Sequence, residues 1–198
     1  DYKDDRRMCL TSVHFPSRKL SQQIKKQIIE PLQIIEPNFY WYKSTSLHLT
    51  IKNVRVINNP PNFSPSNISQ VRNVFDKVVP QNISIGVYFY RLLLFPNNLA
   101  LIGTTDPTLD TLFLNLDQEL NSINFPDDKK YLNKRYFFCN MTLCRFNIEP
   151  SEKFKEKVQE ISKSIKLAPY LINTVTLLTS NAVLERKKII NTWSLKEL

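Results

Sequence analysis

His48 and Thr50 stand two residues apart in Ser46-Leu47-His48-Leu49-Thr50-Ile51-Lys52, where apolar and polar side chains alternate. On an extended strand that spacing sends imidazole and hydroxyl out of the same face. A hydroxyl beside an imidazole can hold a phosphoryl oxygen while the ring moves a proton. Further along, Cys139-Asn140-Met141-Thr142-Leu143 repeats the spacing with asparagine in the place of the ring. An asparagine amide can donate a hydrogen bond to phosphate, but it neither releases nor accepts a proton near neutral pH.

The elements that position these residues are punctuated by proline. A short strand over 9–15 precedes Pro16. Ser17 then caps a helix that carries Leu20, Ile24 and Ile28 on one face and stops before Pro31. Residues 39–56 read as strand, with Leu47, Leu49 and Ile51 on one face and Ser46, His48, Thr50 and Lys52 on the other. A helix beginning near Ser64 or Ser66 turns Ile68, Val71, Phe75 and Val78 inward and ends at Pro80. Residues 83–95 and 99–104 form a hairpin about Pro96-Asn97-Asn98. Asp106 caps a helix with Leu109, Leu112, Phe113, Leu116 and Leu120 inward. A basic loop with Lys129, Lys130, Lys134 and Arg135 leads into a strand at 136–146. A helix near 151–166 buries Phe154, Val158, Ile161 and Ile165, and strands near 172–179 and 187–195 close the chain.

The order strand, helix, strand, helix, strand over 9–95 recurs over 99–179, and the two motif segments fall at matching points of the two halves. The pattern predicts one α+β domain over 9–198. Two pseudo-symmetric lobes would each carry an antiparallel-rich sheet with helices outside, and a central groove would run between them. Residues 1–8, opening on the tag-like Asp1-Tyr2-Lys3-Asp4-Asp5, are expected to be disordered and to lie outside it.

Composition narrows the chemistry. Two histidines, and three cysteines without a Cys-x-x-Cys spacing, argue against a zinc site, and two glycines cannot build a phosphate-cradling loop. The net charge of +9 favours polyanions, RNA first among them. Unpaired cysteines, a charged N-terminus and the lack of a long apolar run predict a cytoplasmic protein without membrane contact, expected to be a monomer.

With these motifs in place, the chain resembles the 2H phosphoesterase superfamily, and most closely its bacterial 2′,5′-RNA-ligase-like and cyclic-phosphodiesterase members. Residues 45–51, approached through Phe39-Tyr40-Trp41-Tyr42, are similar to the family's first His-x-Thr motif. Asn140-Met141-Thr142-Leu143-Cys144-Arg145 is similar to the second, with its trailing arginine. Phe15-Pro16 and Leu178-Thr179-Ser180-Asn181 resemble the family's opening and close. The resemblance implies two lobes that each present a motif to a central groove. It also implies metal-free and cofactor-free phosphodiester chemistry in which paired histidines share the acid and base roles and the hydroxyls hold phosphate. Here Asn140 stands where the family has its second histidine, and losing one such partner typically costs ~10²–10⁴ in rate.

The resemblance therefore implies a catalytic set of His48, Thr50, Asn140 and Thr142 acting on a 2′,3′-cyclic or 2′,5′-linked RNA end or nucleotide. The alternative is a catalytically inactive RNA- or nucleotide-binding module that uses the same groove. His14 is the other imidazole, at a strand end. Tyr88 and Tyr90 share one strand face and are candidates for the groove wall or for ligand contact. Lys52 shares the face of His48 by alternation and would either neutralise a phosphate or be solvated. Arg145 falls on the wrong face by strict alternation and reaches the groove only if the strand bulges near Cys144. Trp41 and Tyr42 could stack a base or serve in the core.

Overall fold

The computed structural model describes residues 2–129 and 139–197. Apolar alternation along the strands and 3.6-residue periodicity along the helices yield two antiparallel sheets with the main helices packed outside them. The four-stranded sheet joins β1 (Met8–His14), β3 (Leu49–Asn58), β8 (Thr174–Ser180) and β9 (Lys187–Ser194) in the order β3-β1-β8-β9. The five-stranded sheet joins β2 (Tyr40–Trp41), β4 (Ile85–Phe95), β5 (Asn98–Thr105), β6 (Cys139–Arg145) and β7 (Tyr170–Ile172) in the order β2-β6-β5-β4-β7. Each sheet thus draws strands from both sequence halves. The two motif strands, β3 and β6, lie against each other.

The helices carry the signals expected of them. In α3 (Pro65–Val78), Ser64 and Asn67 form a reciprocal capping box, and Val71, Val74, Phe75 and Val78 are buried. All five inward residues anticipated for α4 (Thr108–Ser122) are buried, but its N-cap is Pro107 rather than the anticipated Asp106, whose carboxylate accepts from Thr108 N at 3.0 Å and Gly86 N at 2.9 Å. Ser151 caps α5 (Glu152–Ser164).

The first helical segment departs from expectation. After α1 (Arg18–Ile24) the chain takes a π turn over Lys25–Ile29 and continues as α2 (Glu30–Gln33), with Pro31 in its first turn. The wider turn accommodates the ring and the missing N–H that would otherwise end the helix. The long strand anticipated over 39–56 is in fact two, because a turn at 43–47 moves the chain from the five-stranded sheet to the four-stranded one. The basic loop falls largely on residues 130–138, which lie outside the described residues. Among the described residues no helix is long and apolar enough to cross a membrane.

Candidate functional site

Both motif strands break their ladder at the same point. In β3, Val13 pairs with Thr50 and Ser12 with Lys52, which leaves Ile51 without a partner. In β6, Ala100 pairs with Thr142 and Leu99 with Cys144, which leaves Leu143 without one. An extra residue of this kind shifts the alternation that follows it.

In β3 the shift corrects the expectation for Lys52. Its side chain is fully buried, with Nζ donating to Asp117 of α4 at 2.9 Å and to Asp127, and lying 3.7 Å from the centre of the Phe113 ring. Lys52 is therefore turned away from Thr50 and is an interior charge held by two carboxylates. In β6 the same shift brings Arg145 round. Its Nε donates to Tyr42 Oη at 3.0 Å and its Nη2 to the Ala182 carbonyl at 3.4 Å. Tyr42 N donates to the carbonyl of the extra residue Leu143 at 3.0 Å, so one residue holds both the bulge and the arginine.

His48 is half-buried, and its ring centre lies 6.1 Å from that of Tyr42. Nδ1 lies 2.8 Å from the Ser46 carbonyl, which can only accept, so Nδ1 carries the hydrogen. Ser46 is itself fixed, its hydroxyl donating to the Leu184 carbonyl at 3.2 Å. Burial is the main cause that pushes the imidazole down to about 4, and the positive charges of Arg145 and Lys187 add to it against the bond to Ser46. At neutral pH the ring is therefore uncharged, with Nε2 as a lone-pair acceptor that has no partner among the described residues. At Nε2 this state can take a proton but has none to give.

Thr50, Asn140 and Thr142 are all partly exposed, and none of their side chains is hydrogen-bonded to another described residue. They offer two hydroxyls and an amide to an incoming ligand.

The other imidazole does not join them. His14 pairs with Leu49 and so shares that residue's face rather than His48's. It is buried, its Nδ1–H donating to the Thr174 carbonyl at 2.9 Å and its Nε2 accepting from Tyr170 Oη at 2.8 Å. Burial pushes it down to about 4. Trp41 is likewise committed elsewhere, Nε1 donating to the Glu36 carbonyl at 2.9 Å beside Phe154. Tyr88 pairs with Thr104, two residues from the Ile102 that pairs with Asn140, so register sets Tyr88 on the asparagine's face of the sheet. Tyr90 occupies the irregularity before Arg91. Both tyrosines leave about half their surface bare, at 55% and 51%.

Sequence reasoning assigned no site residue to the turn between β8 and β9. The side-chain carbonyl of Asn181 accepts from the backbone N–H groups of Glu185 and Arg186 and shapes this turn. Glu185 accepts from Tyr40 Oη at 2.9 Å and pairs with Lys43 at 3.2 Å. Lys187 donates to the Thr45 carbonyl at 3.0 Å. Lys187, at the start of β9, thus ties one sheet to the segment that delivers His48.

No family model matches this sequence, and no curated protein matches it. Solved structures do. Escherichia coli LigT complexed with phosphate superposes with a TM-score of 0.59 at 14% identity, over 96% of this chain and 98% of that one. The same protein complexed with 3′-AMP gives 0.61 at 13%, over 96% and 98%. The chain has the LigT fold. A structure described as a phosphoesterase matches equally well, at a TM-score of 0.60 and 12% identity over 96% and 99%. The two-lobed α+β architecture implied by the 2H resemblance is thus the one observed.

Proposed function

We propose that this chain is a metal-free, 2H-type phosphoesterase acting on 2′,3′-cyclic or 2′,5′-linked RNA ends or nucleotides, slowed by the asparagine at position 140. The observation that carries the reading is His48, neutral at physiological pH, its Nδ1–H anchored to Ser46 and its Nε2 unpartnered among the described residues, immediately before the strand β3 that packs against the one bearing Thr142. In this reading Nε2 takes a proton from water as the water oxygen attacks phosphorus. The ribose P–O bond breaks, and the departing oxygen collects its proton from solvent because Asn140 cannot supply one. Thr50, Thr142 and the Asn140 amide hold the phosphoryl oxygens. Arg145, held on Tyr42, faces the charge that grows there.

The LigT structures with phosphate and with 3′-AMP support a phosphate-bearing ligand for this fold. The test is hydrolysis of 2′,3′-cyclic nucleotides and 2′,5′-linked dinucleotides by purified protein. Turnover should fall by ~10²–10⁴ in His48→Ala, and undiminished turnover in that variant overturns the assignment.

Asn140 favours a second reading, an inactive module that retains RNA or a nucleotide in the same groove. Salt-dependent binding of a phosphate-terminated RNA without any product identifies it.

A further inference from the structure

Beside the turn at Ser44 and Thr45 that leads to His48 lies a cavity of about 600 Å³ whose lining includes three cations, Arg18, Lys25 and Lys187, and no carboxylate. That volume is within the range of ~300–1,000 Å³ typical of small-ligand sites. Its apolar side is formed by Phe15, backed by the buried cluster Val13, Leu178 and Leu184, and by Ile189, which is 54% exposed. Two links tie it to the proposed catalytic groove. Thr45 lines it and directly precedes Ser46, whose carbonyl holds His48. Lys187 lines it as well, and its charge is one of those acting on the His48 ring.

The cations are only weakly offset where they stand, Lys25 by Glu30 and Lys187 by Glu185, which itself pairs with Lys43. Arg18 has no ion-pair partner among the described residues. Lys25 meets Glu30 only at 3.8 Å with both side chains more than half exposed, an arrangement of little energetic weight. Lys187 is held by the uncharged carbonyls of Thr45 and Leu184, and its Nζ lies 5.8 Å from the centre of the Phe15 ring. A flat apolar wall beside an excess of positive charge matches a ligand that is a ring at one end and an anion at the other.

We infer that this cavity is a second nucleotide subsite. The base of the nucleotide next to the reacting end lies against Phe15 and Ile189, and its phosphate meets Arg18 and Lys25. The inference rests on the phosphodiester reading above and adds that the groove takes an oligonucleotide end in preference to a mononucleotide.

The test compares adenosine 2′,3′-cyclic phosphate with an adenylyl dinucleotide ending in the same cyclic phosphate, by titration against the intact chain and an Arg18→Ala, Lys25→Ala double variant. Both substitutions fall on exposed helical positions where alanine preserves the helix. One stacked base corresponds to an affinity gain of about tenfold for the dinucleotide. The double variant should lose that gain and leave mononucleotide binding unchanged. Equal affinity of the two probes for the intact chain overturns the proposal, as does a variant that weakens both equally. If only the dinucleotide binds, and its binding depends on Arg18 and Lys25 but not on Thr142, the subsite stands and the phosphodiester reading falls. If neither probe binds, both fall.

Discussion

The two motif strands share one geometry and differ in what each position of it does. Both place a threonine just before the extra residue, Ile51 in β3 and Leu143 in β6. The position before the threonine by two is an imidazole in one strand and an amide in the other. The position after the bulge is a buried lysine in β3 and the buried Cys144 in β6, and the next is Asn53 in one and Arg145 in the other. The two strands therefore share a backbone device without sharing its side-chain chemistry. Holding a phosphate needs hydrogen-bond donors at fixed points, which both strands can present, whereas exchanging a proton needs a group that titrates, which only β3 has.

Making the strands alike again gives the largest expected effect. Asn140→His places a titratable group two residues before Thr142, as His48 stands before Thr50, and turnover of 2′,3′-cyclic nucleotides should rise by ~10² or more, toward the cost of a missing acid–base partner. A rise confined to variants that retain His48 would show that the two positions act as a pair. An unchanged rate in a well-folded Asn140→His protein would mean that the shared geometry does not extend to catalysis.

The positions after the bulges separate next. Lys52→Met removes the cation from Asp117 and Asp127 and leaves a buried carboxylate unpaired, since the side chain of Asp127 is only 8% exposed. Breaking a buried pair in this way costs ~3–5 kcal/mol. Cys144→Ala at the matching position deletes a small apolar contact and should cost far less, about 1 kcal/mol. Urea unfolding of the two variants measures the difference, and similar losses would show that the Lys52 cluster is not an interior charge pair of consequence.

That contrast also marks how far sequence could be read. Caps such as Ser17 and Ser64, the inward faces of α3 and α4, and the pairing of the two motifs were legible because they follow local periodicity and turn chemistry. Lys52 was placed on the wrong face because a one-residue bulge has no sequence signature in an otherwise regular alternation. Arg145 depended on the same event, and there a bulge could be named as the condition but not established. His14 could not be located by type alone. The strand pairing that sets it with Leu49 and the hydroxyl of Tyr170 that satisfies it both come from beyond its own segment, the tyrosine from 156 positions away. The turn carrying Lys187 was missed for the same reason, since a basic run reads as solvent-facing until its partners are known.

The two histidines sharpen the comparison through pH. Both are pushed down to about 4 from an ordinary value near 6.5. The unfolded chain therefore binds more protons than the folded one between those limits. Stability is fully present above pH 6.5 and is lost as pH falls toward 4. For the buried His14 the loss amounts to about 3 kcal/mol across that window. His14→Gln should flatten the corresponding part of a denaturation-against-pH profile. His48→Gln should instead abolish turnover, and in the native protein the acid limb of kcat/KM should lie near pH 4 to 5, below the ordinary histidine range. An acid limb near 6.5 would mean that His48 is solvated in the working enzyme.

The smallest expected effect concerns the residue that serves only one of the two strands. Tyr42 fastens the β6 bulge through its backbone N–H and holds Arg145 through its hydroxyl, whereas the corresponding Asn53 in β3 is met by the Thr11 hydroxyl at 3.1 Å. Tyr42→Phe keeps the ring, the burial and the backbone bond, and removes only the acceptor for Arg145 Nε and the donor to the Ala182 carbonyl. A hydrogen bond to a charged group contributes roughly 1.5–3 kcal/mol, and only the part spent on aiming the guanidinium reaches the ligand. The affinity for a phosphate-terminated nucleotide should fall by about tenfold or less, with the pH profile of His48 unmoved. If Arg145 met the phosphate in the transition state alone, the loss would appear in kcat with KM unchanged. If it holds the phosphate throughout, KM rises and kcat stays, so the split between the two parameters tells whether the arginine on the strand without a base supports binding or the reaction itself.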